Sequence, residues 1–141
     1  MKKINLFIVS LLAMLHFNVA NASEPTLFDQ LGGKPALAKV VDDMIDNVSR
    51  DERINKFFAN ANIPRLKKML VDQLCAGTGG PCTYTGNNMA DAHKGMNIKS
   101  ADFNALVEDL QMAFAQNNVP LGLQNKVLAI LAPMKSDIDN K

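Results

Sequence analysis

Three features of the chain point to an all-α domain. Apolar residues recur at helical spacing in several separate segments. No stretch alternates apolar and polar residues as a half-buried strand does. Aromatic residues are few, with Phe 7, Tyr 1 and Trp 0 in 141 residues. The apolar fraction of 48% and charged fraction of 21% suit one globular domain, not a disordered or polytopic membrane chain. Basic and acidic residues nearly balance, 15 against 14. A nucleic-acid binder needs a surplus of Lys and Arg to neutralise phosphates, so that class is set aside.

The first segment reads as a targeting sequence. Met1-Lys2-Lys3 is a short basic start, Leu6 to Leu15 is apolar apart from Ser10, and Ala20-Asn21-Ala22 supplies small residues for a signal peptidase. The run falls short of the roughly 20 apolar residues of a membrane span. Residues 1–22 are therefore expected to be a cleaved signal peptide and residues 23–141 the domain, with no membrane association after cleavage. Cleavage removes Lys2 and Lys3, so 13 basic residues face 14 acidic ones and the net charge becomes −1. It also removes His16, which leaves His93 as the one histidine. The expected compartment is the periplasm, where Cys75 and Cys82 are free to form a disulfide. Their spacing fits no zinc knuckle.

Within the domain, Leu37, Val40, Val41, Met44, Ile45 and Val48 share a face, so roughly 34–49 is an amphipathic helix. Pro35 in its first turn costs little, since an N–H there has no helical partner. A short stretch at 51–58 ends in Phe57-Phe58. A second long helix runs from about 63 to 76, with Pro64 in its first turn and Leu66, Met69, Leu70 and Leu74 on one face. From Cys75 to Gly86 the glycines and Pro81 preclude regular structure. A short helix around 88–94 carries His93, and Gly95 ends it. Ser100 is placed as the N-cap of a helix to about 117, with Phe103, Leu106, Val107, Leu110 and Phe114 inward. Pro120 opens a last helix whose apolar stripe runs through Leu123, Val127, Leu131, Met134 and Ile138. The glycine pairs and the short helix near 90 favour steeply crossing helices over a four-helix bundle.

A lone histidine is ordinarily a surface or core residue. This one sits on a short helix between a tight glycine loop and two long apolar helices. Several ordered motifs surround it: Leu27-Phe28-Asp29-Gln30-Leu31-Gly32-Gly33, Phe57-Phe58, Gly79-Gly80-Pro81, Tyr84-Thr85-Gly86, Met89 four residues before His93, and Leu131-Ala132-Pro133. In order and spacing, from about Leu27 to Ile138, the chain resembles a group 1 truncated haemoglobin. The resemblance implies a two-over-two helical sandwich around one haem b. It implies that His93 is the proximal iron ligand, that Phe58 packs on the porphyrin, and that Tyr84, Met89, Ile98 and Phe103 line the pocket. The chain has no Cys-x-x-Cys-His and no histidine in its last helix, so the haem is expected to be non-covalent.

The chain departs from the family at the ligand-binding wall. Where most relatives carry a distal tyrosine it has Ile45, and where many carry a glutamine it has Leu70, with Leu66 beside it. These apolar residues donate nothing to bound oxygen, and such a donor contributes on the order of 1–3 kcal/mol. Met69 stands where some relatives carry a lysine that takes the sixth iron site. Its thioether is a soft ligand, and His/Met ligation raises a haem potential. Met69 is equally an ordinary gap-filler of an apolar pocket. Lys67 and Lys68 are competing ligands by proximity, but their spacing points them to the helix flank. Arg65, Lys67, Lys68 and Lys56 form a basic cluster that would face solvent, a haem propionate or an acidic redox partner.

These residues describe a haem protein suited to electron transfer or to binding O₂, NO or CO, with an unnamed periplasmic redox partner. The alternatives are a nitric oxide dioxygenase or peroxidase-like enzyme, disfavoured by the missing donors, and an open-site gas sensor. A helical domain without haem is the remaining rival.

Overall fold

The computed structural model describes residues 23–140; the expected signal peptide lies outside the described residues. Among those described, every regular element is helical: α1 (Leu27–Gln30), α2 (Gly33–Arg50), a 3₁₀ turn (Asn55–Phe58), α3 (Ile63–Gly77), α4 (Met89–His93), α5 (Ser100–Gln116), α6 (Leu121–Leu131), a second 3₁₀ turn (Ala132–Met134) and α7 (Lys135–Ile138). No described helix is long and apolar enough to cross a membrane.

α2 is the central element and packs against both α3 and α5. Its predicted stripe is the observed one: Leu37, Val40, Val41, Met44, Ile45 and Val48 are all buried. All but Val48 meet Val71, Leu74 and Cys75 of α3, Leu110, Ala113 and Phe114 of α5, and Val127 of α6 in one core. Phe114, fully buried, is its largest member. A smaller cluster of Val48, Ile54 and Ala105 packs under Phe57 and Phe58.

Three details differ from the sequence expectation, each for a local reason. Leu27–Gln30, a motif without a helix in the sequence expectation, forms the short helix α1. Thr26 and Asp29 cap it reciprocally: the Asp29 N–H donates to Thr26 Oγ1 at 3.1 Å, and the Thr26 N–H donates to Asp29 Oδ2 at 3.0 Å. The cap of α5 is Lys99, one residue before Ser100. Its backbone N–H donates to Asp102 Oδ2 at 2.9 Å, while the Ser100 hydroxyl donates to Asp139 at 2.6 Å. The last helix does not run unbroken to Ile138. Pro133 has no N–H for the α ladder, and the chain tightens into 3₁₀ geometry at Ala132–Met134 before resuming as α7.

Cys75 and Cys82 are joined as a disulfide, with Cα atoms 5.7 Å apart. The bond closes the loop after α3. That loop also receives α1, since the Phe28 N–H donates to the Thr78 carbonyl at 2.9 Å.

Candidate functional site

α2, α3, α4, α5 and the segment after α6 enclose an apolar cavity of about 410 Å³. α3 presents Leu66, Met69, Leu70 and Gln73 to it, at the i, i+3, i+4 and i+7 spacing of one helix face. The 3₁₀ turn after α2 contributes Phe57 and Phe58, and α5 contributes Phe103, Leu106, Val107 and Leu110. Ile98 and Met96 come from the turn after α4, and Met134 and Ile138 close the far end.

His93 enters from α4. Asn88 caps this short helix by accepting the Asp91 N–H at 2.8 Å. Gly95, with φ of 79°, takes the left-handed conformation that ends it. The imidazole is oriented from within its own helix: Nδ1 lies 2.7 Å from the Met89 carbonyl oxygen. A carbonyl only accepts, so the neutral ring carries its proton on Nδ1 and leaves Nε2 as its lone-pair nitrogen, on a ring that lines the cavity. A backbone acceptor behind one ring nitrogen, with the other free, is the arrangement that prepares histidine as a metal ligand.

Tyr84 lines the cavity with its ring and spends its hydroxyl locally, donating to the Asn87 carbonyl at 2.9 Å. The ring lies so close over Gly86 that a Cβ there would come within 2.3 Å of Tyr84 Oη. Phe58, Leu66, Leu70, Met89, Ile98 and Phe103 all face the cavity as the sequence reading expects, and so does Met69. Ile45 does not. It is buried in the core and borders a separate cleft with Ser49, Asn55 and Lys67, while Met44, one residue earlier, faces the cavity. Adjacent residues on α2 point about 100° apart, and here the cavity lies on the side of Met44 while Ile45 turns toward the second cleft.

Lys67 and Lys68 are held away as the spacing predicts. Lys67 pairs with Asp42 at 3.0 Å and Lys68 with Asp72 at 2.6 Å. Asp72 also takes Lys34 of α2 at 3.0 Å, and these two ammonium partners hold its carboxyl below the usual carboxylate range. Lys56 stands over the ring of Phe57 at 5.0 Å. Of the basic cluster, Lys67 ties α3 to α2, Lys68 pairs within α3 and Lys56 stays on its own turn.

Several cavity residues lie outside the sequence expectation for the site, among them Met96, Leu106 and Met134, and two others are instructive. Met44 was assigned to the core stripe. Gln73 was passed over, although a polar residue seven positions after Leu66 and four after Met69 falls on the stripe that should be apolar. That misfit was the available signal.

The residues present fit a flat apolar prosthetic group. The wall is nearly all aliphatic, aromatic or thioether, and it contains one imidazole with a fixed tautomer. A helical frame closed on such a slot is that of a globin-like haem protein. Comparison with known proteins agrees. The family model for bacterial-like globins matches residues 26–140. The group 1 truncated haemoglobin of Tetrahymena thermophila is 35% identical over 105 residues, covering 74% of this chain and 84% of that protein. The group 1 truncated haemoglobin GlbN of Mycolicibacterium paratuberculosis is 32% identical, covering 83% and 86%. Among solved structures, the truncated haemoglobin of Tetrahymena pyriformis in its Fe(III) form superposes with a TM-score of 0.79 at 32% identity, over 82% of this chain and 99% of that one. The 2/2 haemoglobin of a Synechococcus species, in the cyanomet state with covalently attached haem, gives 0.77 at 27% identity over 82% and 99%. The chain belongs to the bacterial-like globin family, among the group 1 truncated haemoglobins.

Proposed function

We propose that this protein binds haem b non-covalently, with His93 Nε2 as the proximal iron ligand, and that Met69 contests the sixth position with diatomic ligands. The observation that carries the reading is the His93 Nδ1 bond of 2.7 Å to the Met89 carbonyl in an otherwise apolar cavity. When bound, haem supplies a reversible Fe(III)/Fe(II) couple and a site for O₂, NO or CO. The chain does the rest. His93 would anchor the haem, Phe58 would pack on the porphyrin, Phe103 would line the pocket, and Leu66 and Leu70 would keep water out. Met69 shares their helix face, and a thioether is a soft ligand that raises the potential of a haem it binds. This favours electron transfer or small-ligand response over oxygen activation. The disulfide supports export to an oxidising compartment, in line with residues 1–22 acting as a cleaved signal peptide.

The test is the anaerobic ferrous absorption spectrum of the haem-loaded protein beside Met69→Leu. Sharp low-spin bands that become a broad high-spin band in the variant are the expected result. A broad high-spin spectrum in both proteins refutes ligation by Met69 and leaves an open gas-binding site. A His93→Ala protein that retains haem with an unchanged spectrum refutes the proximal assignment.

A further inference from the structure

Four cavity-lining side chains carry nitrogen or oxygen: Gln73, Tyr84, His93 and Asp102. Three of them are spent on the backbone. The Tyr84 hydroxyl donates to the Asn87 carbonyl, His93 Nδ1 donates to the Met89 carbonyl, and Asp102 Oδ2 accepts the Lys99 N–H. Gln73 differs. Its amide Nε2 rests on two sulphur atoms, Met134 Sδ at 3.2 Å and Met89 Sδ at 3.8 Å. A thioether is a weak acceptor. An amide donor held this way in an apolar wall gains when a better acceptor enters, because a hydrogen bond in such surroundings is stronger than in water. Gln73 lies one turn beyond Met69 on the same face of α3, the wall that Leu66 and Leu70 otherwise make apolar.

We infer that Gln73 is the hydrogen-bond donor to small ligands in this cavity. It selects those carrying negative charge on their outer atom, such as O₂ or cyanide on iron, over the nearly neutral CO. The two methionines park the amide when no such ligand is present. This rests on haem binding by His93, and the Soret band of the loaded wild type tests that part separately.

The experiment compares haem-loaded wild type with Gln73→Leu, which keeps the volume and removes the donor. Three quantities are read: the C–O stretch of the ferrous CO complex, the dissociation rate of cyanide from the ferric protein, and the dissociation rate of CO. A donor near the ligand lowers the C–O stretch, so Q73L raises it. Cyanide leaves roughly tenfold faster, the size of one charge-assisted hydrogen bond, while CO release hardly changes. An unmoved C–O stretch together with an unmoved cyanide rate overturns the proposal. So does an equal acceleration of cyanide and CO, which marks general loosening of the pocket. If Q73L fails to retain haem, Gln73→Met reads the same quantities with an unbranched side chain that matches the thioether-lined wall. A wild type without a Soret band refutes the haem reading itself, whereas a loaded wild type with an indifferent Q73L refutes only the role of Gln73.

Discussion

Reducing the Cys75–Cys82 bond is a perturbation whose cost follows from its place in the chain. The cysteines are seven apart in sequence. A cross-link closing so short a loop restricts the denatured chain modestly, and the loop-entropy relation gives about 2.5 kcal/mol at 25 °C. The folded state loses little more on reduction, because Cys75 has no exposed surface and its sulphur stays packed. The assay is urea unfolding of oxidised and dithiothreitol-reduced protein, each fitted for free energy and slope. Both are needed, since a cross-link also makes the denatured state more compact and lowers the slope, so midpoints alone mislead. Chemical reduction is preferred to replacing Cys75, where a serine would bury a hydroxyl in the core. Cys82, only half-buried, is the position for a confirming variant, Cys82→Ser. Oxidised and reduced proteins that unfold within about 0.5 kcal/mol of each other would refute the loop-entropy argument. A Soret band unchanged by reduction shows further that the bond is structural and does not switch haem ligation.

Two other perturbations test the packing. Gly80→Ala places a Cβ 2.5 Å from Phe28 Cδ2 and 2.7 Å from Cys75 Sγ. Overpacking of this kind costs about 1–3 kcal/mol, a fall of roughly 4–12 °C in Tm by thermal denaturation, and the cost should shrink in reduced protein where the sulphur can yield. Asp109 is only 4% exposed, and one carboxylate oxygen has no partner. Burial first, then the charges of Asp51 and Glu108, raises its carboxyl above the ordinary 3.8, against the opposing pull of Arg53. Because the folded value is raised, the penalty is absent below about pH 4, grows as pH climbs from there toward the folded value, and is complete above it. Measured by urea unfolding, Asp109→Asn should gain on wild type between pH 4 and pH 7; a difference that stays flat over that range contradicts the assignment.

The long helices were legible because their apolar periods are long and unambiguous, and Leu37 to Val48 needs no tertiary information to be read as one face. The misreadings fall where a single residue decides. Pro133 lies within an otherwise unbroken apolar stripe, and the stripe hides the missing donor that breaks the last helix. The Thr26–Asp29 capping box was present in the sequence but lay before the first long apolar run. Ile45 was assigned to the ligand wall by resemblance, while the turn of α2 gives that place to Met44. Gln73 was invisible because an inward polar residue is informative only once its neighbours are known. That its neighbours are sulphurs, rather than oxygens that would satisfy it, depends on Met89 and Met134 meeting from α4 and the turn after α6.

The segment from Thr78 to Asn88 links α3 to α4, the helix that carries His93, and its constraints act in sequence. The Phe28–Thr78 hydrogen bond and the disulfide fix the end of α3. Gly80 permits Phe28 and the Cys75 sulphur to close on the chain from either side. Tyr84 turns its ring into the cavity and its hydroxyl onto Asn87. Asn88 then starts α4, and one turn later the Met89 carbonyl orients His93. The contact of Gln73 with Met89 Sδ closes the circuit, returning from α4 to α3 across the cavity. The Gln73 amide thus rests on the side chain of the same residue whose carbonyl holds the His93 imidazole. The two faces of the pocket are joined through Met89 more directly than through the intervening loop.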